Sequence, residues 1–291
     1  MNACTWKLAH GRELDLGQPR VVGILNITPD SFADGGSYNT TDLALQRATQ
    51  CAQDGVAMLD IGGESTRPGA QRVSADEQIA RVIPVIEAVR AALPGIAISV
   101  DTTRAEVALR AIEAGADAIN DVSGAEEDDA MLEVAAETGA GLILMHRLAP
   151  PDEDSFSDRY ESAPKYADVV ATVRDFLSAR SAAAVRAGVH ASSIAIDPGL
   201  GFGKSVEQNI ELIRRTGELC SLGYPVMSAA SRKSFVGRVG LERDSDPSER
   251  LGASLAVTVL HAQQGALLFR VHDVPEHVQA LRVHAAVGTH G

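Results

Sequence analysis

Short apolar runs that end in a polar residue recur along this chain, and a stretch of helical spacing follows nearly every one. The clearest is Ile194-Ala195-Ile196-Asp197, after which Pro198 stops the strand and Gly199, Gly201 and Gly203 alternate with Leu200 and Phe202. The same pattern predicts strands over residues 21–26, 57–63, 96–101, 118–122, 142–146, 194–197, 225–228 and 267–272. Between them, helices are expected over 41–54, 74–93, 104–114, 129–138, 167–187, 206–216, 247–264 and 274–286. Ser74 with Glu77 reads as a capping box opening the second of these. Residues 1–19 read as a polar entry segment, with a short hairpin. Residues 147–163, rich in Pro, Asp and Ser, read as a long mobile loop.

Eight strand–helix units with near-continuous apolar strands imply a parallel sheet buried on both faces. At this length the units fit one (β/α)₈ barrel of 1–291, with the active site at the C-terminal strand ends. A doubly wound open sheet is the alternative. It calls for a dinucleotide fingerprint after the first strand, where Asn26-Ile27-Thr28-Pro29 stands instead.

Composition sharpens this picture. Hydrophobic residues make up 45% of the chain and aromatics 4%, so the core is aliphatic. A net charge of −13 argues against a nucleic-acid binder, which needs a basic surface, but allows an anionic small substrate if a few cations are focused in a cleft. Cys4, Cys51 and Cys220 are scattered and form neither zinc spacing nor a disulfide framework, so a reducing cytoplasm is expected. The longest apolar stretch, 251–268, is broken by His261, Gln263 and Gln264, and no membrane span is expected.

The predicted strand ends carry Asn26, Asp60, Asp101, Asn120, Asp121, His146, Asp197, Ser231 with Lys233, and Arg270 with His272. A polar residue at every end is hard to explain by packing, although Asp60 and Asp121 are equally suited to bracing loops and His146 to a satisfied core position. Gly203-Lys204-Ser205 resembles a phosphate loop, but Pro198 stands where that motif wants its first glycine. No strand-end cysteine or Gly-x-Ser-x-Gly elbow offers a covalent nucleophile. What remains has two poles. Asp101, Asn120, Asp197 and Lys233 suit the edge of a flat, donor-rich heterocycle, and Asn26, Arg67, Arg270 and His272 suit an anion such as phosphate with a metal ion helping.

These residues lie in segments that resemble the signatures of dihydropteroate synthases. Gly23-Ile24-Leu25-Asn26-Ile27-Thr28-Pro29-Asp30-Ser31-Phe32 with Asp34-Gly35-Gly36 is similar to the first, and Asp60-Ile61-Gly62-Gly63-Glu64-Ser65-Thr66-Arg67-Pro68-Gly69 to the second. Ser99-Val100-Asp101-Thr102, Asn120-Asp121-Val122-Ser123-Gly124, Leu144-Met145-His146, the Asp197–Lys204 stretch, Ser231-Arg232-Lys233-Ser234-Phe235 and Arg270-Val271-His272-Asp273-Val274 match the rest in order. The resemblance implies a folate-pathway transferase that joins p-aminobenzoate to 6-hydroxymethyl-7,8-dihydropterin pyrophosphate, with Mg²⁺ required and sulfonamides competing. It assigns Asp101, Asn120, Asp197, Lys233 and Met145 to the pterin. It assigns Asn26, Arg67, Arg270 and His272 to pyrophosphate, with the metal at Asn26. The p-aminobenzoate pocket falls to Phe32, Thr66, Pro68, Phe202 and Ser234. Arg270, His272, Lys233, Asp34 and Arg67 are the implied catalytic set, and a homodimer is implied, with Leu255, Val259 and Leu281 as candidate exposed contacts.

Two departures from the family pattern stand out. Ala229 replaces a common glycine before Ser231, and an acidic loop beginning Arg147-Leu148-Ala149-Pro150-Pro151-Asp152 follows His146. They keep a non-catalytic pterin-binding paralogue open. A folate-binding methyltransferase domain serving a corrinoid protein is a further alternative, but it has no use for the Ser-Thr-Arg-Pro, Ser-Arg-Lys-Ser or Arg-Val-His segments.

Overall fold

The structure, a computed structural model, describes residues 5–28 and 37–288, with side chains from 41 onward in the second span. A hairpin of β1 (Thr5–Lys7) and β2 (Glu13–Asp15) precedes eight parallel strands. These are β3 (Arg20–Asn26), β4 (Met58–Gly62), β5 (Ala97–Asp101), β6 (Ala118–Asp121), β7 (Gly141–Met145), β8 (Ile194–Asp197), β9 (Met227–Ser228) and β10 (Leu268–Val271). They pair in the order β8-β7-β6-β5-β4-β3-β10-β9. A parallel bridge from Ile196 to Val226 joins the two ends, so the sheet closes into a (β/α)₈ barrel rather than an open doubly wound sheet.

The helices are α1 (Ser37–Asp54), α2 (Ala75–Ala92), α3 (Ala105–Glu113), α4 (Met131–Thr138), α5 (Val169–Arg186), α6 (Val206–Arg214), α7 (Thr216–Cys220), α8 (Ser234–Leu241), α9 (Leu251–Gln263) and α10 (Val274–Gly288). Ser74 caps α2 by accepting from Glu77 N–H at 3.3 Å. The expected box is one-sided, because the Glu77 carboxylate accepts from Arg81 Nε at 2.9 Å. Two-sided capping occurs at α6, between Ser205 and Gln208. The helix α8 was not expected. Gly237 and Gly240 weaken its local propensity, yet a Cβ on Gly240 would sit 2.5 Å from Ala253 Cβ, so the close α8–α9 approach needs the glycine.

Alternation along each strand sorts its residues between the barrel interior and the helices. One interior layer takes a single residue from every strand: Val22, Met58, Ala97, Ala118, Ile143, Ala195, Met227 and Leu268. The hairpin closes this floor with Trp6, Leu8 and Leu16, and Trp6 Nε1 donates to Ser193 O at 2.8 Å. A Cβ on Gly141 would lie 2.5 Å from Leu8 and 3.0 Å from Trp6. The leading segment, read as polar, is therefore the barrel's plug. The opposite parity, including Leu59, Ile61, Ile98, Val100, Ile119 and Leu144, packs against the helices. Leu281, expected to be exposed, is buried at 5% in this outer layer, because its face of α10 packs inward.

Candidate active site

Two residues beyond the floor, the same interior parity turns polar. Met58 is followed by Asp60, Ala97 by Ser99 and Asp101, Ala118 by Asn120, Ala195 by Asp197, and Leu268 by Arg270. Asp60 is fully buried and organises this layer. Its Oδ1 accepts from Ser99 Oγ at 2.6 Å, and its Oδ2 from Asn120 Nδ2 at 3.0 Å and Arg270 Nε at 2.5 Å. Arg270 also donates Nη2 to Asp101 Oδ2 at 2.7 Å. Asp101 Oδ1 and Asn120 Oδ1 are buried and have no partner among the described residues. Burial raises the Asp101 pKa to about 7 against the pull of Arg270, and Asp60 adds to the rise.

Asp197 stands across the barrel. Its Oδ1 accepts from Gly199 N–H at 2.6 Å. Gly199 has φ +67°, and a Cβ there would fall 1.8 Å from His146 O, so only glycine allows this turn. Burial pushes the Asp197 carboxyl up, with the Lys233 charge opposing. Lys233 Nζ donates to Leu200 O and lies 4.3 Å from the centre of the Phe202 ring. Burial lowers Lys233 to about 8, and Asp197 works against that fall. Met145, Val122 and Phe202 form a small buried apolar wall beside these groups.

His272 follows Arg270 on the same parity. Its backbone N–H donates to Ser231 Oγ at 3.2 Å, and its ring Nδ1 lies 3.2 Å from the same hydroxyl, within hydrogen-bond reach. Burial, then the charges of Arg270, Arg232 and Arg67, push His272 down to about 3, so the ring is neutral. That electrostatic contact brings Arg67, on the loop after β4, to the same end of the barrel. Ser231 and Lys233 flank Arg232, a non-glycine residue at φ +61°, which Asp273 holds through Nε at 2.8 Å and Arg250 through its carbonyl at 2.8 Å. Asn26 ends β3, the strand paired with β10. Thr66 and Pro68 lie half-buried on the β4 loop, and Ser234 opens α8. Phe32 and Asp34 lie outside the described residues.

Three strand-end residues take other roles. Asp121 has the outward parity and braces its own loop, accepting from Ser123 N at 2.7 Å, Ser123 Oγ at 2.6 Å and Ala125 N at 3.1 Å. Asp60, as above, is no loop brace but the partner of Arg270. His146 is a satisfied core histidine whose Nδ1 accepts from Lys204 Nζ at 3.0 Å. Lys204 was not anticipated. It is fully buried, and its ammonium also donates to Phe202 O at 2.7 Å and Gly199 O at 2.9 Å, pinning the glycine loop from beneath. Its only sequence signal is a place in the glycine segment, whose exposed carbonyls need an internal donor.

Residues 22–272 match the model of the pterin binding enzyme family. The chain is 43% identical over 275 residues to the dihydropteroate synthase of Escherichia coli K12, with 94% of each chain covered. It is 42% identical to the solved Xanthomonas albilineans dihydropteroate synthase with 4-aminobenzoic acid, at a TM-score of 0.90 and with 100% of both chains covered. A structure of the Xanthomonas albilineans enzyme in complex with 7,8-dihydropteroate matches at 40% identity and a TM-score of 0.85, covering 99% of this chain and 100% of that one. The chain belongs to the pterin-binding enzymes and, within them, to the dihydropteroate synthases, which are transferases.

Proposed function

We propose that the chain condenses 6-hydroxymethyl-7,8-dihydropterin pyrophosphate with p-aminobenzoate, releasing 7,8-dihydropteroate and pyrophosphate. One observation carries the reading: at the barrel mouth Asp101 and Asn120 each hold a buried acceptor oxygen that has no partner among the described residues. Orphaned acceptors of this kind are costly until a donor arrives, and the N–H edge of a pterin is such a donor. Asp197 and Lys233 would hold the opposite side of the ring, with Met145 and Phe202 against its face. Thr66, Pro68, Phe202 and Ser234, with Phe32, would receive p-aminobenzoate.

The chemistry follows from charge. An aromatic amine is a weak nucleophile, so loss of pyrophosphate does most of the bond breaking. As the C–O bond to pyrophosphate breaks, the amine nitrogen bonds to the pterin methylene and then loses a proton. Arg270 is permanently charged, and neutral His272 has one ring N–H to donate, so both stabilise negative charge on the leaving group without proton transfer. Arg67 adds a second cation from the β4 loop, and Asp34 completes the proposed catalytic set. Among the described residues no three His, Cys, Asp or Glu side chains cluster as a metal site. Asn26, at the end of β3, offers a hard oxygen donor of the kind Mg²⁺ takes and would be the protein ligand of such an ion. When bound, the ion would neutralise charge on pyrophosphate.

A homodimer in the cytoplasm belongs to the same proposal. The half-buried Leu255 and Val259 on α9, with Leu260 exposed at 54%, offer apolar surface for it. No helix among the described residues is long and apolar enough to cross a membrane. The test is product formation from the pterin pyrophosphate and labelled p-aminobenzoate, with Mg²⁺ and then with a chelator. Metal-dependent dihydropteroate is expected. Pterin binding without product would overturn the reading in favour of a non-catalytic paralogue.

A further inference from the structure

In the segment 146–168, between β7 and α5, residues 147–163 were expected to form a long mobile loop, and the opening of that loop departs from the family pattern. It is fixed at both flanks. Toward β4, Pro151 O accepts from Gly69 N–H at 2.8 Å. Arg147, with 8% of its side chain exposed, pairs with Glu127 on the loop after β6. Glu127 receives Arg72 as a two-toothed fork at 2.6 and 2.7 Å, and Arg72 Nε lies 3.3 Å from Glu64 Oε1. Glu64 also accepts from Val73 N at 2.8 Å and Gln78 Nε2 at 3.0 Å. An alternating chain of charges thus runs from the β7 loop to the root of the Ser65–Pro68 segment. Burial opposes a charge on Glu127, but hydrogen bonds from Arg72, Thr103 and Arg147 prevail and hold it at about 2, so the chain stays ionised at neutral pH.

Toward β8 the same loop takes both backbone groups of Gly203. Asp154 Oδ2 accepts from its N–H at 2.9 Å, and Tyr166 donates to its carbonyl at 2.8 Å. Ser157 Oγ accepts from Asn209 Nδ2 at 3.1 Å, and Asn209 Oδ1 accepts from Gly201 N–H at 2.7 Å. Arg147 and Pro151 line one cavity together with Thr66 and Asp101, one residue from each proposed substrate site.

We propose that the 146–168 loop is a positioning element for both substrates, with Arg147 setting the Ser65–Pro68 segment that faces p-aminobenzoate and Asp154 setting the Gly199–Gly203 segment that faces the pterin. The inference rests on the substrate sites proposed above. Segments of Gly, Ser, Thr and Pro sample many conformations when untethered, and ordering them on binding costs affinity. Bonds to a shared neighbour remove part of that cost in advance, so each arm of the loop acts on the affinity of one substrate.

The experiment is a split of kinetic constants between two variants. In Arg147→Met the stem is preserved and Glu127 keeps Arg72, so no buried charge is orphaned. KM for p-aminobenzoate is expected to rise about ten-fold, within the 100-fold that a misplacement of 1 Å can cost. KM for the pterin pyrophosphate should stay within about two-fold, and Arg147→Lys should recover part of the loss. Asp154→Ala should raise the KM for the pterin pyrophosphate by the larger factor, with a smaller rise for p-aminobenzoate because Phe202 borders both sites. If Arg147→Met does not fold, Glu127→Gln breaks the same chain at its next link, and the same p-aminobenzoate effect is expected. Unchanged KM values with only a lowered Tm, or an equal loss on both substrates from each variant, overturns the proposal while leaving the activity intact. Absence of product from the unsubstituted chain is the separate result that overturns the function.

Discussion

The floor and the mouth of the barrel are built by the same strands, two residues apart, with opposite chemistry. At the floor the strands converge on aliphatic and small side chains, and Trp6, Leu8 and Leu16 seal it from below. One step up they converge on Asp60, Ser99, Asn120, Asp197 and Arg270. The N–H that Trp6 brings to the floor is bonded to Ser193 O, whereas in the mouth Asp101 Oδ1 and Asn120 Oδ1 have no partner among the described residues. The difference shows how such a site is sustained. A dry, interlocked layer supplies the stability that lets charges face one another in the layer above, and the mouth leaves acceptors unpaired for a ligand to fill.

The largest effect is expected from breaking the mouth. Arg270→Ala removes the common partner of Asp60 and Asp101 together with a proposed leaving-group cation. Turnover, followed by pyrophosphate release, should fall on the order of 10³-fold, the scale of one preorganised charge. Pterin affinity, measured by calorimetry, should fall much less; an equal fall would put Arg270 in substrate binding alone. The same variant predicts a sign in pH. Asp101, already raised to about 7 by burial, loses the pull of Arg270 and rises further. A carboxyl with a folded pKa above its unfolded value holds more protons when folded. The variant should therefore gain stability as pH falls from its raised folded pKa toward about 4, read as a Tm at pH 5 closer to that of the unsubstituted protein than at pH 8.

Breaking the floor should give the converse. Trp6→Ala empties the plug and loses the bond to Ser193 O, and it should cost about 4 kcal/mol in denaturant unfolding. Both KM values should be unchanged in the fraction that is folded. A rise in the pterin KM would mean that the floor positions the mouth as well as supporting it.

The alternation that separates floor from mouth explains what was legible in the sequence. The strand–helix rhythm gave the barrel, because each apolar run ends in a polar residue. Long motifs gave Asp101, Asn120, Asp197, Lys233, Arg270 and His272, all of which the structure brings to one end. Parity within each strand was hidden. A parallel strand buried on both faces is apolar on both, so nothing marked Asp121 and His146 as outward or Asp60 as inward. The pairing of Asp60 with Arg270 spans 210 residues, which no local pattern reveals. Lys204 and the clasp of the 146–168 loop were likewise invisible, because they depend on which carbonyls and amides the folded loops turn toward each other. The hairpin was visible, but its role as plug was not, since three apolar residues among polar ones read as an entry segment.

The smallest effect separates the mouth from the outer helical layer, where an unpaired polar group has no proposed ligand. His261 on α9 is fully buried, and neither ring nitrogen has a partner among the described residues. In the mouth an orphaned acceptor has a proposed ligand, while here it is a standing cost. Burial pushes His261 from 6.5 down to about 4, so the unfolded chain binds more protons between those values. Its stabilising share is then present above about pH 6.5 and lost as pH falls toward 4. His261→Leu should raise stability by about 1 kcal/mol at pH 7, since an unpaired buried polar group is replaced by an apolar one of similar size. It should also remove this part of the acid sensitivity, seen as a flatter Tm profile between pH 6.5 and 4, with kcat and both KM values unchanged. A loss of activity would show that the outer layer reaches the mouth. A loss of stability would show that the ring is satisfied in solution, and the contrast between orphaned groups inside and outside the site would then fail.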